Sequence, residues 1–228
     1  MAKKHLKRLV APKSWGILRK EETFITRPNP GPHKLDRCIP ISVLLKRLGF
    51  VKTSTEAKKA LLHNQIFIDG RRAIDPKTQA GLFDEVKIEE ITYRVLINKL
   101  GQLVTPTAPK GECGTKPCKV IGKTAIKGGK TQANTNDGRN VILSKSGECS
   151  VGDTIMVSIP EQAIKGLHKL EIGAFVFLTG GKHLGDNGSV TSIKGNAIAY
   201  KNAKGEEYTT LKEYAFVLGK GKSCITLP

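Results

Sequence analysis

Positive charge is concentrated at the start of this chain, and this limits how the first segment can fold. Residues 1–50 contain twelve Lys or Arg and only three acids, so +9 of the total formal charge of +18 lies there. The stretch "TRPNPGPHKL" adds three prolines and a glycine, which favour extended or turn backbone over helix. A basic segment without a core of its own is expected to be disordered alone. We therefore predict a basic N-terminal arm over 1–37 that becomes ordered along phosphates.

Large apolar side chains interrupt this arm. They are Leu6, Leu9, Trp15, Leu18 and Phe24. Their presence indicates that the arm packs on something, and a floppy solubilising tail is the alternative.

The formal charge of +18 and the sequence pI near 9.8 indicate what kind of partner the protein binds, but they do not indicate its fold. Nucleic-acid phosphate neutralises such an excess most simply, and a merely basic solvated surface is the alternative. No apolar run reaches the roughly 20 residues that cross a bilayer, and the N-terminus lacks a signal-peptide pattern. We expect a cytoplasmic protein with a retained N-terminus and no membrane partner.

The cysteine pattern argues against both a disulfide framework and a metal site. The five cysteines are an odd, scattered set, and only Cys113 and Cys118 are close together. No second Cys or His pair follows these two at zinc-ligand spacing. We expect reduced thiols, no metal and no cofactor, with a structural zinc site as the disfavoured alternative.

A small α+β module is predicted from Cys38 to Ile91. Apolar residues recur at helical spacing from Ile41 to Leu48, and Gly49 ends that helix. Thr53 and Glu56 form a capping-box pattern before a second helix, whose apolar stripe is Ala57, Ala60 and Leu61. A strand and a tight turn follow in "QIFIDGRRAI".

Polar residues of this module lie off the apolar helix faces. On the first helix these residues are Lys46 and Arg47, and on the second they are Lys58, Lys59 and His63. Lys52, Ser54 and Thr55 lie at the N-terminal end of the second helix. Arg71 and Arg72 follow the turn. Backbone N–H groups at a helix N-terminus favour an anion. These residues are candidate phosphate ligands, and two ordinary solvated helix faces are the alternative.

From Thr92 onward short alternating strands separated by Gly, Asn, Asp and Pro turns indicate small barrels or sandwiches. We predict a central β domain over 92–170 and a further β domain over 171–228. The segment "PEQAIKGLHKLEIG" between them is interpreted as a linker or short helix.

Enzyme signatures are absent. Two "GKT" triplets lack the upstream glycine of a phosphate-binding loop, and the five histidines form no recognisable motif. Aromatic residues are few and fall mostly at core-like strand positions. We therefore expect phosphate and shape recognition by Lys and Arg with little base readout, no small-molecule substrate and no catalytic residue.

Four sequence segments together resemble the small-subunit ribosomal protein S4e family of archaea and eukaryotes. They are "HLKRLVAPKSWGI", "RPNPGPHKLDRCIPI", the module from residue 38 to 88, and "CKVIGKT". The resemblance implies an α+β multidomain chain with a basic N-terminal arm, a small α+β S4-type RNA-binding domain, a central β-barrel-like domain and a C-terminal SH3-like KOW β-barrel. The chain ends soon after "FVLGKGK", which favours an archaeal source.

The resemblance also implies which residues face RNA. The KOW segment is similar to the family at Gly173, Val176, Gly180, Gly185, Gly188, Val190 and Ile193, and its glycines are expected to let backbone approach RNA. The full set of candidate RNA-binding residues is Lys3, Lys4, Lys7, Arg8, Lys13, Arg27, His33, Lys34, Arg37, Lys46, Arg47, Lys52, Thr53, Ser54, Thr55, Lys58, Lys59, His63, Arg71, Arg72, Gly181, Lys182 and His183.

A structural, non-catalytic component of the small ribosomal subunit is the implied function. Its expected partners are small-subunit ribosomal RNA and neighbouring small-subunit ribosomal proteins. Two alternatives remain: an RNA-modifying or tRNA-charging enzyme with an S4-type domain, and a KOW-type transcription or translation factor.

Overall fold

The computed structural model describes residues 5–143 and 147–227, which form two compact units. Unit 1 contains the residues up to Ile97 together with Gly101–Gly114, and unit 2 contains Asn98–Leu100 together with Thr115–Leu227. The described residues are mostly β-strand, with two α-helices, both in unit 1. The predicted Lys3 and Lys4 lie outside the described residues.

Unit 1 combines both helices with four small antiparallel sheets. The helices are α1 (Ile41–Arg47) and α2 (Ser54–His63), and the strands are β1 (Leu6–Lys7), β2 (Phe24–Ile25), β3 (Cys38–Pro40), β4 (Ile66–Ile68), β5 (Arg71–Arg72), β6 (Gln79–Gly81), β7 (Glu85–Ile88), β8 (Ile91–Arg94), β9 (Leu96–Ile97) and β10 (Leu103–Val104). The largest sheet has the order β5-β4-β7-β8, and the pairs β1-β2, β3-β6 and β9-β10 complete the set.

The helices form where the apolar spacing predicts them. Ile41, Leu44 and Leu45 of α1 are buried, and Gly49 ends the helix in left-handed backbone with φ of +80°. The capping box of α2 is complete, because the Thr53 hydroxyl accepts from the Glu56 N–H and the Glu56 carboxylate accepts from the Thr53 N–H.

The N-terminal arm shares the core of unit 1. Trp15 is fully buried, and its indole N–H donates to the Cys38 carbonyl at 2.6 Å. The expectation that these side chains pack is confirmed for Trp15 and wrong for Leu9 and Leu18, which are exposed. Phe24 is half exposed, and its ring meets the His5 ring edge to face with centroids 5.5 Å apart. The Trp15 hydrogen bond is one of several that attach the arm to the body of the unit; the Gln79 side chain, for example, donates to the Asn29 carbonyl at 2.6 Å.

Unit 2 contains two five-stranded antiparallel sheets. One sheet has the order β13-β12-β11-β14-β15 and the other β19-β18-β17-β16-β20. Their strands are β11 (Thr115–Ile126), β12 (Lys130–Thr135), β13 (Asn140–Leu143), β14 (Thr154–Ser158), β15 (Ile164–His168), β16 (Ala174–Leu178), β17 (Asn187–Lys194), β18 (Ala197–Asn202), β19 (Glu207–Leu211) and β20 (Ala215–Lys220).

Each sheet of unit 2 encloses its own apolar cluster. Cys118, Val120 and Ile155 belong to the first cluster, and Val176 and Tyr200 belong to the second. The prediction of a linker or short helix over "PEQAIKGLHKLEIG" is wrong, because Ile164–His168 is strand β15. Pairing with the fully buried strand β14 outweighs the weak helical propensity of this short segment.

A charged network is buried in the first sheet. The Asp137 carboxylate lies 3.2 Å from the Lys116 ammonium and 2.8 Å from the Arg139 guanidinium, and it accepts a 2.6 Å hydrogen bond from the Thr135 hydroxyl. Burial alone would raise the pKa of the Asp137 carboxyl, but these three partners together hold that pKa below its ordinary value.

The depressed pKa of Asp137 predicts acid sensitivity. Its contribution to stability is fully present above the ordinary pKa of about 3.9 and is lost as pH falls through the lower folded pKa. Asp137→Asn is expected to lower the free energy of unfolding at neutral pH by about 2–3 kcal/mol and to flatten its pH dependence as pH falls from neutral to below about 4. Urea denaturation across this range measures both effects, and an unchanged pH profile would contradict the assignment.

Candidate nucleic-acid interface

Helix α2 presents a basic face to solvent. Lys58, Lys59 and His63 are exposed, while Ala57 and Leu61 on the opposite face are buried. Lys58 and Lys59 enter no ion pair with any residue in 5–143 or 147–227. This face therefore presents unpaired positive charge to a partner.

The N-terminal end of α2 is also exposed, with Lys52, Ser54 and Thr55 around it. The Lys52 and Thr53 N–H groups donate to the Glu56 carboxylate, which lowers the Glu56 pKa and keeps this carboxylate charged. The hydroxyl of Thr53, predicted to contact RNA, is already engaged by the cap. A structural role accounts for its position.

The β4–β5 turn extends the basic surface. Arg71 and Arg72 are both exposed on β5, and Arg72 Nη2 donates to the Leu62 carbonyl at the end of α2 at 3.0 Å. This hydrogen bond holds the Arg72 guanidinium at the C-terminal end of α2.

The predicted cations of the arm differ in their surroundings. Lys7, Lys13 and Lys34 are exposed, and Arg27 and Arg37 are partly buried. Arg8 lies 2.7 Å from the Glu21 carboxylate and 3.3 Å from that of Glu22, with its own side chain only 12% exposed. Arg8 therefore holds the arm together.

His33 does not face solvent. Its side chain is 5% exposed and lies 3.1 Å from the Asp84 carboxylate, with its ring packed over Gly81. A side chain at Gly81 would occupy the space of this ring. The structure therefore removes His33 from the candidate RNA ligands, because the packing of "RPNPGPHKL" on the module buries it.

A groove of about 640 Å³ lies between the arm and the two helices. Four cations at its edge come from separate parts of the sequence: Arg8, Lys46, Arg47 and Lys52. Ser54, the first residue of α2, also lines it. The structure thus brings together predicted residues from the arm, from α1 and from the start of α2.

The other residues that line the groove were not among the predicted ligands, and three of them bear on what it could bind. Ser42 lines the groove, and its buried hydroxyl has no hydrogen-bond partner within the described part of the chain. Leu18 and Phe24 form part of the apolar wall. The sequence signal for Leu18 and Phe24 was that large apolar residues occur inside a basic arm. No sequence signal pointed to Ser42.

In unit 2 the segment from Gly180 to Gly188 carries the remaining candidates. Gly181 and Lys182 are exposed, whereas the His183 ring stacks on Tyr208 with centroids 4.3 Å apart. A Cβ at Gly180 would lie 2.6 Å from the Tyr214 ring, and one at Gly188 would collide with the Lys201 carbonyl. Internal packing, rather than approach to a ligand, thus accounts for these two glycines.

Neither helix among the described residues is long and apolar enough to cross a membrane. Over 5–143 and 147–227, no group of three or more His, Cys, Asp or Glu side chains is arranged to hold a metal ion.

Comparison with known proteins assigns the whole chain. Three family models match: the RS4NT (NUC023) domain over residues 2–36, the S4 domain over 39–86, and ribosomal family S4e over 89–164. The small ribosomal subunit protein eS4 of Methanococcus maripaludis is 35% identical over 240 residues, covering 99% of this chain and 98% of that protein. The chain belongs to the ribosomal protein S4e family.

Other S4e relatives agree. The eS4 protein of Methanothermobacter thermautotrophicus is 36% identical over 236 residues, covering 100% of this chain and 97% of that protein. The crystal structure of the 30S ribosomal protein S4e from Thermoplasma acidophilum matches with a TM-score of 0.70 at 26% identity, covering 81% of this chain and 96% of that chain. The resemblance to an archaeal-type S4e protein with an S4 domain is confirmed, and the family is structural rather than enzymatic.

Proposed function

We propose that this chain is a structural constituent of the small ribosomal subunit in the cytoplasm, where it binds and stabilises small-subunit ribosomal RNA. Its partners are this RNA and neighbouring ribosomal proteins. Family membership supports the role, since the relatives are small ribosomal subunit proteins. The exposed face of α2 carries the proposal, because Lys58, Lys59 and His63 form a basic surface that suits phosphate.

The phosphate ligands in this proposal are basic and hydroxyl residues of the N-terminal arm and of the S4-type module. On α2 and β5 they are Lys58, Lys59, His63, Arg71 and Arg72; around the groove they are Lys46, Arg47 and Lys52 with Ser54 and Thr55; on the arm they are Lys3, Lys4, Lys7, Lys13, Arg27, Lys34 and Arg37. Their spread over arm, helices and turn suits a folded RNA surface better than a single strand.

We also propose that unit 2 contains a central β domain and a KOW-type, SH3-like barrel built from β16–β20. The five-stranded antiparallel sheet with a closed apolar cluster supports this proposal. Gly181, Lys182 and His183, in the loop between β16 and β17, are its proposed RNA contacts.

Replacing Lys58 and Lys59 together with alanine is expected to weaken binding to ribosomal RNA mainly through its salt dependence. Two lost phosphate contacts reduce the slope of log K against log[salt] by roughly 1.4–1.8. The free energy of unfolding is expected to change by less than about 0.5 kcal/mol, because both side chains are exposed.

Filter binding across a salt series measures the slope. The matched control replaces both lysines with arginine, which keeps the charge and should keep the slope. An alanine variant with the wild-type slope would show that α2 does not contact phosphate.

A further inference from the structure

The groove between the arm and the helices has two chemically different walls. On one side Leu18 is 70% exposed and Phe24 is 54% exposed, so a large apolar area faces solvent. On the other side lie Lys46, Arg47 and Lys52. Apolar surface beside clustered cations suits a ligand that has one flat apolar part and one anionic part.

The cationic wall also offers hydrogen-bond donors without partners. Ser42 is 2% exposed, and its hydroxyl has no partner within residues 5–143 and 147–227. A buried hydroxyl without a partner is unfavourable, and a ligand oxygen that accepts its hydrogen bond would remove this penalty. Ser54 begins the ten-residue helix α2 on the same groove, where the first N–H groups favour an anion.

Two acids line the groove but do not oppose an anion there. Glu21 and Glu22 both pair with Arg8, whose guanidinium neutralises part of their charge. Arg8 Nε also donates to the Leu18 carbonyl, which fixes the backbone of the apolar wall. The two acids therefore form ion pairs with Arg8. Lys46 and Lys52 form no ion pair within the described chain and remain available to an anion.

We propose that this groove receives one unpaired nucleotide of RNA. Its base lies against Leu18 and Phe24, and its phosphate is bound by Lys46, Lys52 and the hydroxyls of Ser42 and Ser54. Unpaired bases can be splayed out of folded RNA and stacked on aromatic rings, whereas a base inside a duplex cannot enter a concave site. The volume of about 640 Å³ is within the range of ligand sites.

This inference rests on the proposed function and adds base contact to it, whereas the sequence predicted little base readout. A chemical footprint of the full-length chain on small-subunit ribosomal RNA tests it. Dimethyl sulfate and carbodiimide report unpaired bases, and hydroxyl radicals report the backbone. Wild-type protein is expected to protect at least one unpaired base together with a backbone footprint.

Phe24→Ala is expected to restore reactivity at that base about fivefold or more, while the backbone footprint is retained. Phe50→Ala is the matched control, because Phe50 is a 43% exposed phenylalanine of the same unit outside the groove. If Phe24→Ala leaves every base protection unchanged, the groove does not hold a base. If wild-type protein leaves no footprint at all, the proposed function itself fails.

Ser42→Ala separates ligand binding from folding. Removal of an unpaired buried hydroxyl is expected to leave the melting temperature of the free protein unchanged or higher, yet to weaken RNA affinity about fivefold. A merely structural serine would not give this opposite pair of effects. Unchanged affinity in this variant would overturn the phosphate half of the proposal.

Discussion

Lys119→Met is expected to lower the free energy of unfolding of unit 2 by about 3–5 kcal/mol. The Lys119 ammonium is buried and donates to the carbonyls of Lys212, Glu213 and Ala215, at 3.1, 2.8 and 2.6 Å. Methionine fills a similar volume but leaves these acceptors without this donor, at roughly 1–3 kcal/mol each. Part of that loss is offset, because the methionine variant no longer has the desolvation cost of a buried ammonium.

Amide hydrogen exchange locates the effect. The N–H groups of β20, which begins at Ala215, are expected to exchange about 100-fold faster or more if they open with the unit. Lys123→Met is the matched control, because Lys123 lies on the same strand and is exposed. Equal exchange rates in the two variants would mean that Lys119 does not stabilise this segment.

Trp15→Ala is expected to destabilise unit 1 by a similar amount, about 3–5 kcal/mol. The indole is fully buried, so its loss leaves a cavity and removes the hydrogen bond to the Cys38 carbonyl. Trp15→Phe should lose less, because only the N–H and part of the ring volume disappear. Urea denaturation followed by circular dichroism measures both variants.

Leu18→Ala is the control for Trp15, since Leu18 lies in the same segment but is 70% exposed. It should change the free energy of unfolding by less than about 0.5 kcal/mol. A Trp15→Ala variant as stable as this control would show that the arm does not share the core. The burial of Trp15 also means that deleting residues 1–37 would damage the unit, so single charge changes test RNA binding by the arm more cleanly.

Local patterns were sufficient for the helices. The spacing of Ile41, Leu44 and Leu45 and the Thr53–Glu56 capping box depend only on neighbouring residues, and both helices form where these patterns occur. The exposure of Lys58 and Lys59 followed from the same periodicity. Local patterns did not predict strand β15. It forms because it pairs with β14, which ends six positions before β15 begins, and this pairing outweighs local preference.

Two candidate ligands are engaged within the protein by residues that are distant in sequence. His33 is a basic-arm residue by sequence, but Asp84, 51 positions later, binds it at 3.1 Å. Arg8 is likewise held by Glu21 and Glu22. Neither partner is visible in a local pattern, so a count of cations overestimates how many remain available for RNA.

Charge, helix periodicity and the family motifs depend on the sequence alone. They were enough to predict a polyanionic partner, the positions of both helices and the S4e family. The groove and the Lys119 contacts exist only because the chain returns on itself. Residues as distant as Phe24 and Ser54 then share one cavity, and a single ammonium is shared among three carbonyls more than ninety positions away. Such contacts depend on the packing of residues that are far apart in the sequence, so a pattern among neighbouring residues cannot predict them.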